Sequence, residues 1–188
     1  MRNMKKTTLA ALASLALIPA AVTAHEVRAP YPGTVTAHTV KGPYTGRVSA
    51  LTYYPSGGYH GAIDVASGSG CGYWGVETAV VGSVYWNVTI NTTGVVCYGN
   101  GYENANTAIH TWADGWKFHL KHFLKTASSY DRTCDRCQVG DEGGTGQATG
   151  PHTHIMQEKN GTKDTSWYSG YTTQDETVDR TETLGVLD

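Results

Sequence analysis

The stretch GPHTHIMQE, residues 150–158, places two histidines one residue apart, directly after a glycine-rich run. In an extended strand successive side chains point to opposite faces, so residues i and i+2 share one face. His152 and His154 would therefore project together, while Thr153 and Ile155 would point the other way. Two imidazoles on one face indicate either a metal site or a coincidence, and in a chain with eight histidines this pair alone does not decide between them.

Short runs of alternating apolar and polar residues occupy much of the remaining chain. Examples are GTVTAHTV, GRVSALTYY, AIDVA and TAVVGSVYWNVTI, which are separated by Gly, Asn, Pro and Asp. Runs rich in Val, Thr and Tyr between such residues are typical of β strands joined by turns. The best candidate for a helix is HLKHFLKTASSY. The sequence therefore predicts a mainly β domain, with a polar, acidic C-terminal tail from about residue 172 that we expect to be loosely held.

The N-terminus has the plan of a secretory signal peptide. Three basic residues within the first six positions precede an apolar run that ends in small residues at Ala24. The apolar run is shorter than the roughly 20 residues that cross a bilayer, so we predict cleavage near Ala24 rather than stable membrane insertion. Residues 25–188 are enough for one domain, which we expect to be an exported monomer, periplasmic or extracellular.

Charge and cysteine content narrow the function classes further. The formal net charge is −2, and the chain has no stripe rich in Lys and Arg, so we expect no nucleic-acid partner. Four cysteines in an exported chain are most simply disulfides, for which three connectivities exist. We favour Cys71–Cys97 and Cys134–Cys137, because the second pair is already close in sequence. A zinc ribbon would need a second CxxC knuckle, and only CDRC is present.

A second histidine motif, HGAID at 60–64, spaces a histidine and an aspartate four residues apart. In a strand both side chains lie on one face, and the small Ala62 between them leaves room for an ion. His60, Asp64 and His154 are therefore a candidate set of three ligands. Two imidazoles and a carboxylate suit Zn²⁺, and three protein ligands leave a fourth coordination position open, as in catalytic zinc sites.

A third motif, WKFHLKHF at 116–123, contains two more histidines. His119 follows an aromatic, apolar stretch and is far in sequence from the other two motifs. Taken alone, it is equally well explained as a half-buried histidine at the end of a strand or helix. His122 stands beside Lys121 and is expected to be solvated.

In order and spacing, these three motifs resemble those of the lysostaphin/LytM-type zinc metallopeptidases. The family is recognised by an H-x-x-x-D segment, a later HL after an aromatic strand, and a closing glycine-rich segment that ends in H-x-H. The corresponding segments here are HGAID at 60–64, FHL at 118–120 and GGTGQATGPHTH at 143–154. The resemblance extends over about residues 30–158, most of the chain after the predicted cleavage site.

The resemblance implies a fold, an activity and roles for individual residues. The implied fold is a mainly antiparallel β-sheet domain of the barrel-sandwich hybrid type, with a long substrate groove. His60, Asp64 and His154 align with the family's zinc ligands, and His119 and His152 align with its two catalytic histidines. The implied reaction is hydrolysis of a peptide bond in bacterial peptidoglycan, within a cross-bridge or a stem peptide.

Two other functions are compatible with parts of the sequence. A relative that has lost catalysis could be a binding or regulatory module of cell-wall remodelling, although such relatives typically lack one or more of the metal ligands that are present here. Cleavage after Ala24 would expose His25, whose amine and ring could bind copper as in oxidative polysaccharide-cleaving enzymes. That function leaves the motifs at 60–64 and 143–154 unexplained. The sequence therefore predicts a secreted zinc metalloendopeptidase.

Overall fold

A computed structural model of the protein describes residues 37–72, 75–82, 84–124 and 129–188. The predicted signal peptide and His25 lie outside the described residues. Within the described part, the chain forms strands and one short 3₁₀ helix, Ser166–Tyr168. The first seven strands are β1 His38–Lys41, β2 Gly46–Ala50, β3 Ile63–Ala66, β4 Gly75–Glu77, β5 Val84–Thr89, β6 Thr107–Thr111 and β7 Trp116–Lys121. The others are β8 Tyr130–Cys134, β9 Gln138–Asp141, β10 Thr153–Lys159, β11 Thr162–Asp164, β12 Thr177–Val178 and β13 Thr183–Leu187.

The strands confirm the prediction of a mainly β, antiparallel domain. The main sheet has the order β12-β2-β3-β10-β7-β6-β5-β8, and β11 also pairs with β10. Two small sheets, β1 with β13 and β4 with β9, complete the fold, and all of these pairs are antiparallel. The stretch that looked most helical in sequence begins in β7. No helix in the described ranges is long and apolar enough to cross a membrane.

Alternation of side chains gives the main sheet two different faces. Along β7, Phe118 and Leu120 point into the core, where they are fully buried together with Ile155 of β10 and Trp86 of β5. Burial of this apolar face is the main force that fixes the register of the strands, because a shift by one residue would expose it. The other face, called the outer face below, carries the polar residues of the same strands, including His154 of β10.

The C-terminal segment is not the loosely held tail that the sequence suggests. β12 pairs with β2, and β13 pairs with β1 from His38↔Leu187 to Lys41↔Thr183. Val178, Leu184 and Leu187 are buried in the core. The expectation was wrong because these apolar residues are few and their partner strands lie more than 100 residues earlier in the chain. Such distant pairing leaves no local signal in the sequence.

Both predicted disulfides, Cys71–Cys97 and Cys134–Cys137, are formed. The first joins the loop after β5 to the segment after β3, and the loop after β5 in turn contacts the glycine-rich turn at residues 143–146. The Gly144 amide donates to the Val96 carbonyl at 2.7 Å, and a side chain at Gly144 would collide with the Cys97 carbonyl oxygen. The Cys71–Cys97 disulfide therefore supports the segment that precedes GPHTHIMQE.

We expect the double variant Cys71→Ala/Cys97→Ala to lose about 3.5 kcal/mol of unfolding free energy, because the bridge closes the longer of the two disulfide loops. Cys134→Ala/Cys137→Ala is the matched control, and it should lose only about 2 kcal/mol, since its cysteines are three residues apart. Urea denaturation followed by tryptophan fluorescence measures both values. A larger loss in the control would contradict the assignment of the main structural role to Cys71–Cys97.

Candidate metal centre

His60, Asp64 and His154 meet on the outer face of the main sheet. Asp64 lies in β3 and His154 lies in β10, where they are direct partners in the antiparallel register. His60 is in the segment that leads into β3, four residues before Asp64. The three residues are 1%, 5% and 8% exposed, respectively, so a charged group placed among them would be largely shielded from water.

The donor atoms of these three residues form a compact triangle. His60 Nε2 lies 2.9 Å from His154 Nδ1 and 3.2 Å from Asp64 Oδ1, and His154 Nδ1 lies 3.0 Å from Asp64 Oδ1. Two ligands of a tetrahedral Zn²⁺, each about 2.0–2.1 Å from the metal, are about 3.3 Å from one another. The triangle therefore has close to the size that a zinc ion requires.

The tautomer of His60 also fits a metal ligand. Its Nδ1 is 2.7 Å from the Leu51 carbonyl oxygen, which can only accept, so the ring proton of the neutral imidazole is on Nδ1. The Nε2 lone pair then points toward the oxygen of Asp64 and the nitrogen of His154. A ring proton donated to a backbone carbonyl is the usual support for a metal-binding histidine. A cation among the three donor atoms would offset the repulsion between their lone pairs.

The electrostatic environment keeps the candidate ligands in the required protonation states. Burial disfavours the charged form of Asp64, but interaction with the surrounding imidazoles of His154, His60 and His152 outweighs it and holds the pKa of this carboxyl well below its usual range. Burial is also the main cause that lowers the pKa of His154. The site therefore offers a carboxylate and a neutral imidazole, the forms in which these groups bind metal.

His152 and His122 stand beside the triangle. His152 Nε2 lies 3.5 Å from Asp64 Oδ2, and the ring centre of His122 is 4.8 Å from that of His152 and 5.6 Å from that of His154. The two histidines of GPHTHIMQE therefore both face Asp64. His122 Nδ1 lies 2.6 Å from the Thr145 carbonyl oxygen, so its proton is on Nδ1 and its Nε2 is an acceptor in the neutral ring.

His122 reaches the site because the chain turns sharply where β7 ends. The residue has a φ of 78°, in the left-handed region that costs a residue with a side chain about 1 kcal/mol or more. This turn takes His122 out of the strand, and backbone hydrogen bonds at both its amide and its carbonyl stabilise it. The His122 amide donates to the Asn106 carbonyl at 3.1 Å, and the Thr145 amide donates to the His122 carbonyl at 3.1 Å.

Asn106 stabilises the same turn, and the sequence did not indicate this role. It is fully buried, and its side-chain amide donates to the carbonyls of Thr92 and Phe123, each at 2.9 Å. Its backbone amide donates to the Thr145 hydroxyl at 3.0 Å. The bonds of Asn106 therefore connect the loop after β5, the turn at His122 and the glycine-rich segment. Asn106 is one of three asparagines in NGYENANT, residues 100–107, and nothing in that stretch distinguishes it for this role.

His119 is not brought to the triangle. It pairs in register with Met156, whereas Lys121 is the β7 residue that pairs with His154. His119 is therefore one row of side chains away along the outer face, about 7 Å. Its Nε2 lies 3.2 Å from Glu158 Oε1 instead. The geometry does not support the position beside the metal that the family resemblance implied for His119.

His122 occupies the position that was expected for His119. It is only 8% exposed, so the expectation that it would be solvated was wrong. Burial is the main cause that lowers the pKa of His122 to about 3, and that of His119 to about 4. His119 lies within β7 and His122 directly follows it, so what separates them is the residue at which β7 ends. That boundary is not encoded in the motif.

The outer face continues away from the triangle as a shallow depression. Tyr54 packs beside the triangle, with its ring centre 4.4 Å from that of His60, and the Tyr54 side chain is partly exposed to solvent. Further along β7, a pocket of about 310 Å³ opens over β5, β6 and β7. Its lining consists of Tyr85, Asn87, Ile109, Thr111 and Lys117. Part of the outer face beyond the triangle is thus accessible to solvent.

No family model and no curated protein matches the sequence of the chain. Among solved structures, it is similar to a mutant catalytic domain of the prophage-encoded M23 protein EnpA from Enterococcus faecalis. The identity is 22% and the TM-score is 0.39, over 71% of this chain and 92% of that one. It is also similar to a zinc-containing peptidase from Vibrio cholerae, with 16% identity, a TM-score of 0.43, and coverage of 68% of this chain and 39% of that one.

Proposed function

We propose that the protein is a zinc metalloendopeptidase that hydrolyses peptide bonds of bacterial peptidoglycan, in a cross-bridge or a stem peptide. The observation that carries this proposal is the buried triangle of His60, Asp64 and His154, whose donor atoms lie 2.9–3.2 Å apart. These three residues would hold the zinc ion. Three protein ligands would leave a fourth coordination position for a water molecule or the substrate.

When bound, Zn²⁺ supplies a Lewis acid that makes a water molecule more acidic and a peptide carbonyl more electrophilic. The protein then has to move protons, and His122 and His152 are the groups in position to do so. The Nδ1–H of His122 donates to the Thr145 carbonyl, so Nε2 of the same ring can accept a proton. His152 has its Nδ1 2.9 Å from the Gly150 carbonyl, which fixes its ring while Nε2 faces the centre.

The two histidines would share the remaining tasks of the reaction. One imidazole takes a proton from the attacking water, and a protonated imidazole can deliver one to the leaving amine. An N–H directed at the carbonyl oxygen would also stabilise the negative charge that develops there. We therefore propose His122 and His152 as the catalytic pair, and we assign no catalytic role to His119.

Export as a monomer of residues 25–188, with cleavage near Ala24, stays a prediction. The two disulfides support an oxidising compartment such as the periplasm or the extracellular space. Peptidoglycan lies outside the cytoplasmic membrane, so this location and the proposed substrate are consistent with each other.

The direct test is digestion of purified peptidoglycan by zinc-loaded residues 25–188, with soluble fragments identified by mass spectrometry. We expect new peptide termini that are absent with a zinc chelator and with His154→Ala. Circular dichroism of His154→Ala checks that its fold is retained. Absence of fragments from folded, zinc-loaded protein would contradict the proposal. If that protein nevertheless sedimented with peptidoglycan, the binding or regulatory module would replace the peptidase as the leading function.

A further inference from the structure

We infer that Lys121 binds a carboxylate of the peptide substrate, so that the preferred substrates carry an acidic group close to the bond that is cut. The inference rests on the proposed function, because it concerns what binds beside the same metal centre. Lys121 is the last residue of β7 and pairs in register with His154 on one side and Thr107 on the other. It therefore stands on the outer face directly beside a candidate zinc ligand.

The other two lysines near this part of the outer face already have partners. The Lys163 ammonium donates to the His60 carbonyl and lies 5.9 Å from the ring centre of Tyr59. Lys117 Nζ lies 4.0 Å from Glu158 Oε1, and the same oxygen is 3.2 Å from the ring of His119. Glu158 is the carboxylate of this region, and its Oε1 interacts with Lys117 and His119.

Lys121 differs from both because its ammonium has no partner within the described ranges. It makes no hydrogen bond there and no ion pair within 4.0 Å, although Glu158 attracts it from a greater distance. Its side chain is half-buried. A partly desolvated cation without a hydrogen-bond acceptor is unfavourable, and an incoming anion would supply the missing acceptor.

The charge balance of the region favours an anionic ligand over a neutral one. On the outer face of β7, β10 and β11, Lys117, Lys121 and Lys163 face a single carboxylate, Glu158, because Asp164 lies on the opposite face of β11. Asp64 does not offset them, because its charge would be taken up by the divalent cation. A chain of glycines offers only backbone carbonyls to Lys121. A free C-terminal carboxylate or an acidic side chain would form a charge-assisted hydrogen bond with it.

The test is a binding measurement on three synthetic peptides of six residues. The first is hexaglycine with an amidated C-terminus, the second is hexaglycine with a free C-terminus, and the third has one internal Glu and an amidated C-terminus. Isothermal titration calorimetry on the zinc-loaded protein gives the dissociation constants at low salt. We expect at least one acidic peptide to bind about tenfold or more tightly than the neutral one. The favoured acidic peptide identifies the source of the carboxylate.

The variants Lys121→Met and Lys117→Met form a matched pair, since both remove an ammonium from the same face of β7. Lys121→Met should abolish the preference for acidic peptides, and Lys117→Met should retain it. Equal binding of all three peptides by the unaltered protein would overturn the inference, as would a preference that survives in Lys121→Met. Cleavage of the peptides is followed separately. A carboxylate preference in a protein that also releases no fragments from peptidoglycan would support the anion site while contradicting the peptidase.

Discussion

His122→Ala should lower kcat/KM for peptide hydrolysis by about 10²- to 10⁴-fold, the range typical of a lost general acid–base group. The reason is the position of the ring beside His152 and His154, with its Nδ1 proton bound to the Thr145 carbonyl and its Nε2 available. Zinc content should stay unchanged, because the three atoms of the triangle belong to other residues. Steady-state kinetics on a peptide identified from the digestion, with zinc measured by mass spectrometry, gives both values.

His119→Ala is the matched control for this prediction. It removes a buried imidazole from β7, three residues before His122, but one whose Nε2 lies 3.2 Å from Glu158 Oε1. We expect a change in kcat/KM of less than about tenfold, since His119 would act only through neighbouring residues. A large loss in His119→Ala with near-normal activity in His122→Ala would contradict the position argued here. It would restore the role that the family resemblance implied for His119.

Asp64→Asn should weaken zinc binding by more than about 100-fold and abolish hydrolysis with it. Changes to groups that merely support a metal ligand already cost about 10- to 100-fold in affinity, and Asp64 is a proposed ligand itself. The substitution preserves the shape of the side chain but removes the negative charge that His60 and His154 surround. Competition with a chromophoric chelator measures the affinity, and Asp131→Asn, in β8 and hydrogen-bonded to Asn87, is the control.

Thermal unfolding provides a second measurement for Asp64→Asn that does not depend on activity. Zinc at 1,000 times its dissociation constant should stabilise the unaltered protein by about 4 kcal/mol, because the ion binds only the folded chain. Asp64→Asn should show almost no zinc-dependent rise in Tm, while Asp131→Asn should show the full rise. An Asp64→Asn variant that still bound one zinc ion per chain at its original affinity would rule out the triangle as the metal centre.

The parts of the fold and site that follow local rules were predictable from the sequence. Strand periodicity indicated the β class, and the two-residue period correctly placed His152 and His154 on one face. The proximity of His60 and Asp64 to His154 was inferred from the order of the motifs, and the pairing Asp64↔His154 brings it about. Both disulfides were also predicted, one of them from the short spacing of its cysteines.

The features that were missed depend on the exact end of a strand or on distant pairing. His122 reaches the site through a left-handed turn after Lys121. The residues at this position, KHF at 121–123, include no glycine or other residue type that predicts such a turn. The turn is stabilised by Asn106 and Thr145, which lie 16 residues before and 23 residues after His122 in the sequence. The immediate neighbours of His119 and His122 in the sequence do not determine which of them reaches the site, because the turn at His122 depends on tertiary hydrogen bonds.

The disulfide Cys71–Cys97 gives this arrangement a dependence on oxidation. The Cys97 carbonyl and the Gly144 backbone are in close contact, and the next residue, Thr145, holds the ring of His122. Reduction of the bridge would free the loop against which that glycine rests, and the hydrogen bond to His122 would lose its support. All the chemical groups would then still be present in the reduced chain, but they would not be assembled. We therefore expect reduction of Cys71–Cys97 to disturb the geometry of the centre as well as to lower the stability of the fold.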